Sequence, residues 1–189
     1  MLADGLAARG VPVLRTREPG GAPGAEVLRG LLLDGAVDWA PGAETLLHFA
    51  ARAEHVAVSI RPALEAGSWV VCDRFADSTM AYQGWGQGAD RGQISALTGM
   101  LGVTPDLSLV LDVPVSTSLA RLQDRGYAAD RYERLGAGFF ARVRHGFRAI
   151  AEAEPGRCLL LDGEADVPVV AGVIMRAVAG RFTLPVVTC

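Results

Sequence analysis

The chain has 189 residues, half of them hydrophobic, which is enough to bury one core and too few for two domains of ordinary size, so wholesale disorder is excluded. Its 18 basic and 21 acidic residues give a formal charge of −3, which excludes a strongly basic nucleic-acid binder. All 18 basic residues are arginine, and the lack of lysine excludes Schiff-base catalysis, a Ser-Lys dyad and the lysine of a phosphate-binding loop.

The first ten residues read as two or three helical turns, with Leu2 and Leu6 at i, i+4 and Gly10 as the stop. No capping residue precedes them, so this helix is expected to start in its own middle. A short strand follows at 11–15, then a Gly/Pro-rich loop at 17–24 and a helix over 25–33 with Val27, Leu28, Leu31 and Leu32 on one face. Pro41-Gly42 opens a long helical stretch over 43–66, bent at Pro62. The apolar run 69–72 predicts a buried parallel strand that ends on Asp73-Arg74. A glycine-rich loop at 84–92 leads to a helix over 93–102, and 107–111 is another buried strand with Asp112 after it. Ser116 or Thr117 caps a helix through Arg125, and the spacing of Phe140, Val143, Phe147 and Ile150 marks one more. A last strand at 157–161 precedes a terminal helix capped by Asp166, with Pro168 in its first turn.

Helix and strand alternate, and the strands are apolar without alternation. That pattern predicts an α/β fold, an open parallel sheet covered on both faces. In such sheets ligands bind at the carboxyl ends of the strands, where Arg15 to Glu18, Asp73-Arg74 and Asp112 converge on one rim. Cys72, Cys158 and Cys189 are odd in number and contain no C-x-x-C pair, so a reducing, cytoplasmic setting is expected. The longest apolar stretch, 167–180, is broken by Pro168 and Arg176, and no membrane span or signal peptide is expected.

Three constellations carry chemistry. The strongest runs from Val70 through Asp73, Arg74, Phe75, Ser78, Ala81, Tyr82 and Gln83 to Gly84: an acid and an arginine at a strand end can serve a metal and an anion, and a planar guanidinium suits a phosphate. The second is His48, Phe49 and Arg52 on the long helix, where a ring and a guanidinium on one face suit a nucleobase. A core Phe beside a surface Arg is the plainer reading of that pair. The third, Arg121, Arg125, Asp130, Arg131, Tyr132 and Glu133, suits a lid over phosphates, or simply a solvated face. His55 and His145 read as surface or boundary residues.

These segments together resemble bacterial thymidylate kinase. The likeness rests on Thr16-Arg-Glu-Pro-Gly-Gly21, Phe49-Ala-Ala-Arg52, Asp73-Arg-Phe75 through Ala81-Tyr-Gln-Gly84, and Asp130-Arg-Tyr-Glu133. It implies a three-layer open parallel sheet of the P-loop nucleoside monophosphate kinase type over residues 1–182, with 183–189 an unrelated tail. It also implies transfer of a phosphoryl group from ATP, with Mg²⁺, to dTMP, giving dTDP. Arg74 would then grip the acceptor phosphate, and Asp73 would sit near the metal and the reacting phosphates. Arg52 would bind thymine. Phe49 lies three residues before that arginine, whereas much of the family has its aromatic four before, where His48 stands, so both are candidates for the stack. Thr79 and Gln83 match positions near base and sugar, Tyr82 matches the residue that crowds the ribose 2′ position, and Arg125 and Arg131 match lid arginines. The family is usually a homodimer.

The resemblance also implies a central first strand and a G-x-x-x-x-G-K-[ST] loop, and no such loop occurs in these 189 residues. The chain is therefore expected to be truncated before or within the first helix and, alone, unstable or inactive. A start assigned too late accounts for this better than a degenerate gene, since the acceptor and lid residues persist. Other outcomes are a remnant that holds dTMP or a partner without turnover, or a kinase for another deoxynucleotide.

Overall fold

The computed structural model describes residues 1–124 and 131–185. Helix α1 (Leu2–Ala7) leads to strand β1 (Val13–Arg17), α2 (Pro23–Leu33) and α3 (Pro41–His55). A wide π turn (Val56–Ile60) joins α3 to α4 (Arg61–Glu65), and β2 (Trp69–Asp73) follows. Then come α5 (Ala76–Thr79), a second π segment (Met80–Gly86), α6 (Arg91–Met100), β3 (Ser108–Asp112) and α7 (Val115–Asp124). A 3₁₀ turn (Glu133–Leu135), α8 (Gly136–Ala153), β4 (Cys158–Asp162) and α9 (Val167–Arg181) complete the described order.

The alternation of helix and strand is that of an α/β protein. The strands are parallel as expected, but among the described residues they form two pairs rather than one sheet. β1 pairs with β2, Val13 opposite Trp69 through Arg17 opposite Asp73, and β3 pairs with β4, Ser108 opposite Cys158 through Asp112 opposite Asp162. β1 starts two residues later than the apolar run suggests. Pro12 has no N–H to give, and its carbonyl accepts the Trp69 N–H at 2.8 Å just ahead of the ladder.

The expected bend at Pro62 takes a specific form. Pro62 supplies no amide hydrogen, and the helix widens to a π turn over Val56–Ile60 before it. A second departure lies after β2, where helix continues through the π segment to Gly86 and takes in the first residues assigned to a glycine-rich loop. Glycine serves there as a packing residue. A Cβ on Gly86 would lie 2.5 Å from the Phe139 ring, and one on Gly146 of α8 would lie 2.6 Å from Trp85. The two segments thus approach closely and enclose Ala81, Tyr132, Phe139, Val143 and Ile150. Gly146→Ala is expected to cost about 1–3 kcal/mol by overpacking, read as a fall in the thermal midpoint; an unchanged midpoint would mean the contact relaxes freely.

A second apolar cluster centred on Leu6, Val11 and Val178 gathers Val13, Trp69 and Val71 from one strand pair and Leu107 and Leu109 from the other strand's edge. The helices α1 and α9 therefore seal both pairs at once. Phe182 packs edge-on to Trp69 at 5.1 Å, and Leu184 joins the same cluster. Among the described residues no helix is long and apolar enough to cross a membrane.

Candidate active site

The carboxyl ends of β1 and β2 lie side by side, and the Glu18 N–H donates to the Asp73 carbonyl at 2.9 Å just beyond them. The next residue on the β2 side, Arg74, has φ of 68° and is the described non-glycine residue in the left-handed region. Such a conformation costs of order 1–3 kcal/mol and persists where the surroundings enforce it, often at functional sites. It lays the Arg74 guanidinium over the Tyr82 ring, 4.9 Å from its centroid. The Asp73 side chain stays exposed at the rim.

Facing this corner, α3 presents Glu44, His48, Arg52 and His55 on one buried face, at successive steps of about one helical turn. Arg52 is only 3% exposed, so the plainer expectation of a surface arginine is corrected. Its Nε donates to Glu18 Oε2 at 2.6 Å and its Nη2 to Thr79 Oγ1 at 3.1 Å. Its third nitrogen, Nη1, is buried with no hydrogen-bond partner. Phe49 and Phe75 flank the guanidinium at 4.8 and 5.3 Å from their ring centroids. Phe49 is therefore occupied by Arg52, whereas the buried His48 turns Nε2 to the Tyr132 hydroxyl at 2.8 Å.

Glu44, which the sequence reading did not single out, is the hub of the neighbouring network. Fully enclosed, it accepts hydrogen bonds at Oε1 from Gln83 (2.7 Å), Tyr132 (2.8 Å) and Gln87 (3.0 Å). Arg131 closes on its other oxygen and also reaches Asp38 at 3.4 Å. The expected lid residues Arg131 and Tyr132 thus lie folded against the α3 face. Tyr132 meets Tyr82 edge-on at 5.6 Å. Thr79, Tyr82 and Gln83, spaced i, i+3, i+4 across α5 and the π segment, complete one wall with Arg52 and Arg74. Arg125 lies outside the described residues.

Other charges expected at the rim are used elsewhere. Asp112 is clamped by Arg144 (2.7 and 2.8 Å) and Arg148 (2.8 Å), and these guanidinium contacts hold its carboxyl below the ordinary range. Arg121 donates to the Gly163 and Glu164 carbonyls. His55, expected near the surface, is fully buried. Glu18, His55 and Cys72 bring donor atoms within 4.8 Å of one another, but both Glu18 oxygens and both His55 nitrogens are already hydrogen-bonded, and the Arg52 cation sits against Glu18. Burial pushes the Cys72 thiol up, which disfavours the thiolate a metal needs. The trio reads as a hydrogen-bonded network rather than a metal centre.

Burial, reinforced by the Arg52 charge and opposed by Glu44, pulls the His48 pKa down from 6.5 to about 4. The unfolded chain takes up this proton at the ordinary value, so the contribution of neutral His48 to stability is complete above pH 6.5 and is lost as pH falls toward about 4. His48→Gln is expected to flatten the loss of stability over that window in urea titrations at stepped pH. A slope equal to that of the unaltered chain would assign the acid sensitivity to other groups.

Parallel strands whose carboxyl ends gather guanidinium groups, aromatic rings and a buried, unsatisfied donor have the arrangement of an α/β protein with a ligand site at its strand ends. Residues 1–173 match the family model "Thymidylate kinase". Thymidylate kinase from Caulobacter vibrioides is 47% identical over 186 residues, covering 97% of this chain and 89% of that protein. The enzyme of the same name from Chromohalobacter salexigens is 48% identical, covering 96% and 87%. The crystal structure of thymidylate kinase from Ehrlichia chaffeensis superposes with a TM-score of 0.71 at 35% identity, covering 88% of this chain and 80% of that one. The chain belongs to the thymidylate kinase family, and it is a kinase by that membership.

Proposed function

We propose that the acceptor substrate is dTMP, phosphorylated to dTDP, and that the α3 face and the wall from Arg74 to Gln83 hold it. The observation that carries this reading is Arg52 Nη1, a buried cationic donor with nothing to donate to. A thymine carbonyl would satisfy it, and an unmet buried donor costs about 1–3 kcal/mol. His48, beside Tyr132 and not under a cation, is the better placed of the two candidate rings to stack on the base. Thr79 and Gln83 line the base and sugar, and Tyr82 crowds the ribose 2′ position, which favours deoxynucleotides. Arg74, pre-set by its left-handed backbone, holds the acceptor phosphate.

Asp73 fits Mg²⁺ as a hard, exposed oxygen donor at the strand end. ATP with Mg²⁺, when bound, would supply the phosphoryl group and neutralise its charge. The triphosphate fits these residues less well, because no lysine and no G-x-x-x-x-G-K-[ST] sequence occurs among them, so the role of the chain's own residues is to bind and orient the acceptor. Arg125 and Arg131 are the lid cations of this reading, with Arg131 leaving Glu44 when it serves the phosphates. By themselves the 189 residues are then expected to hold dTMP and to turn it over weakly, in a cytoplasmic setting and as a homodimer.

The test is dTDP formation from ATP and dTMP by the 189-residue chain, alongside dTMP binding by calorimetry. Binding with turnover far below the level of the Caulobacter relative supports the reading. Turnover equal to that relative contradicts the argument from the missing cradle, and absent dTMP binding contradicts the acceptor site itself.

A further inference from the structure

Behind Arg52 stand two enclosed groups that substrate would not touch. His55 has no exposed surface and Glu18 is 4% exposed. The imidazole spans them: Nδ1 lies 3.0 Å from Glu18 Oε1, and Nε2 lies 2.7 Å from Thr16 Oγ1. Glu18 turns its other oxygen to Arg52 Nε at 2.6 Å. An ionised carboxylate only accepts, so the ring must donate from Nδ1; a neutral ring then accepts the Thr16 hydroxyl at Nε2. This one tautomer is consistent with every hydrogen bond along the row Thr16–His55–Glu18–Arg52–Thr79. Gly21 packs directly against the ring and its threonine partner. A Cβ on Gly21 would lie 2.4 Å from Nε2 and 2.5 Å from Thr16 Oγ1, and Gly21 has φ of +83°, so only glycine fits against the pair.

We propose that His55 is a positioning residue for the nucleobase: by donating from Nδ1 it fixes the Glu18 carboxylate, which takes Arg52 Nε and leaves Nη1 presented to the base. The proposal rests on the reading that Arg52 binds thymine. It assigns His55 no contact with substrate. Its effect is on affinity and base choice, since the base is remote from the transferring phosphoryl group and a donor held at the wrong angle loses binding shared by ground and transition states.

Two substitutions separate the halves of the bridge. In His55→Asn the amide nitrogen occupies the place of Nδ1 and still donates to Glu18. In His55→Gln the amide reaches toward Thr16 and leaves Glu18 without that donor. Calorimetry with the 189-residue chain is expected to give His55→Asn a dTMP affinity within about threefold of the unaltered protein, and His55→Gln and His55→Phe affinities weaker by about tenfold. If the unaltered chain binds dTMP and the three variants bind alike, the positioning role is overturned while the acceptor reading stands. If the unaltered chain binds no dTMP, both fall together. Should the variants fail to fold, nitrogen-15 spectra of the unaltered protein decide, because the proposal requires a proton on His55 Nδ1. A ring protonated on Nε2 alone overturns it.

Discussion

Arg52→Ala is expected to destabilise the protein by about 3–5 kcal/mol, because it breaks an ion pair that is sealed on both sides and strands the remaining carboxylate. Both partners, Arg52 and Glu18, have side chains only 3% exposed. Solvent therefore neither screens the pair nor rehydrates Glu18 when its partner goes. The rings of Phe49 and Phe75 also lose the cation they flank, and Thr79 loses a donor. A control separates charge from packing. Glu18→Gln combined with Arg52→Met removes both charges and keeps most of the volume, and it is expected to recover much of the loss. Urea unfolding of the single and double variants checks this. A single variant within about 1 kcal/mol of the unaltered protein would mean that water reaches Glu18.

Glu44→Leu is the second large effect. It removes one acceptor carboxylate and leaves the amides of Gln83 and Gln87, the Tyr132 hydroxyl and the Arg131 guanidinium without it. Each buried donor left unmet costs about 1–3 kcal/mol, and since they share one partner the penalties do not add in full. A net loss of about 3–5 kcal/mol is expected, with Glu44→Gln intermediate, because its amide keeps one acceptor but points hydrogens at donors. The loss should also be local. Tyr132 and Arg131 are tied to α3 through Glu44, so amide exchange over 131–135 is expected to accelerate more than exchange over α8. Uniform acceleration would show that Glu44 supports the whole fold rather than the lid segment.

Both residues show what the sequence makes legible. Helix and strand order follows from apolar runs and breakers, and the elements fall within a few residues of expectation. The β1 boundary moved because Pro12 cannot donate, a local rule that an apolar run conceals. The continuation of helix to Gly86 was hidden by glycines, which read as loop but serve close packing against Phe139 and Trp85. The structure brings Arg52 to Thr79 and Arg74 to Tyr82, residues that the sequence motifs single out. Their supporting groups were harder to see. Glu44 and His55 are ordinary helix residues by composition, and only the shared face of 44, 48, 52 and 55 marks them. Glu18 sits within a motif whose proline and glycines draw the eye, yet its carboxylate is what holds the cationic centre. Burial in three dimensions converts these three from solvated polar residues into an obligatory network, and no periodicity reports that.

Arg52 is buried with one nitrogen unpaired, and the proposed site gives that nitrogen to the base. Titration calorimetry of the 189-residue chain with dTMP and with dCMP tests this most directly. Cytosine carries an amino group at C4, where thymine has a carbonyl, so an Arg52 donor aimed at that C4 oxygen meets a donor, and a site built on such a hydrogen bond discriminates strongly. Binding of dTMP with dCMP weaker by about tenfold or more is the predicted result. Equal affinity for the two, with Arg52→Ala binding dTMP as well as the unaltered chain, would contradict it.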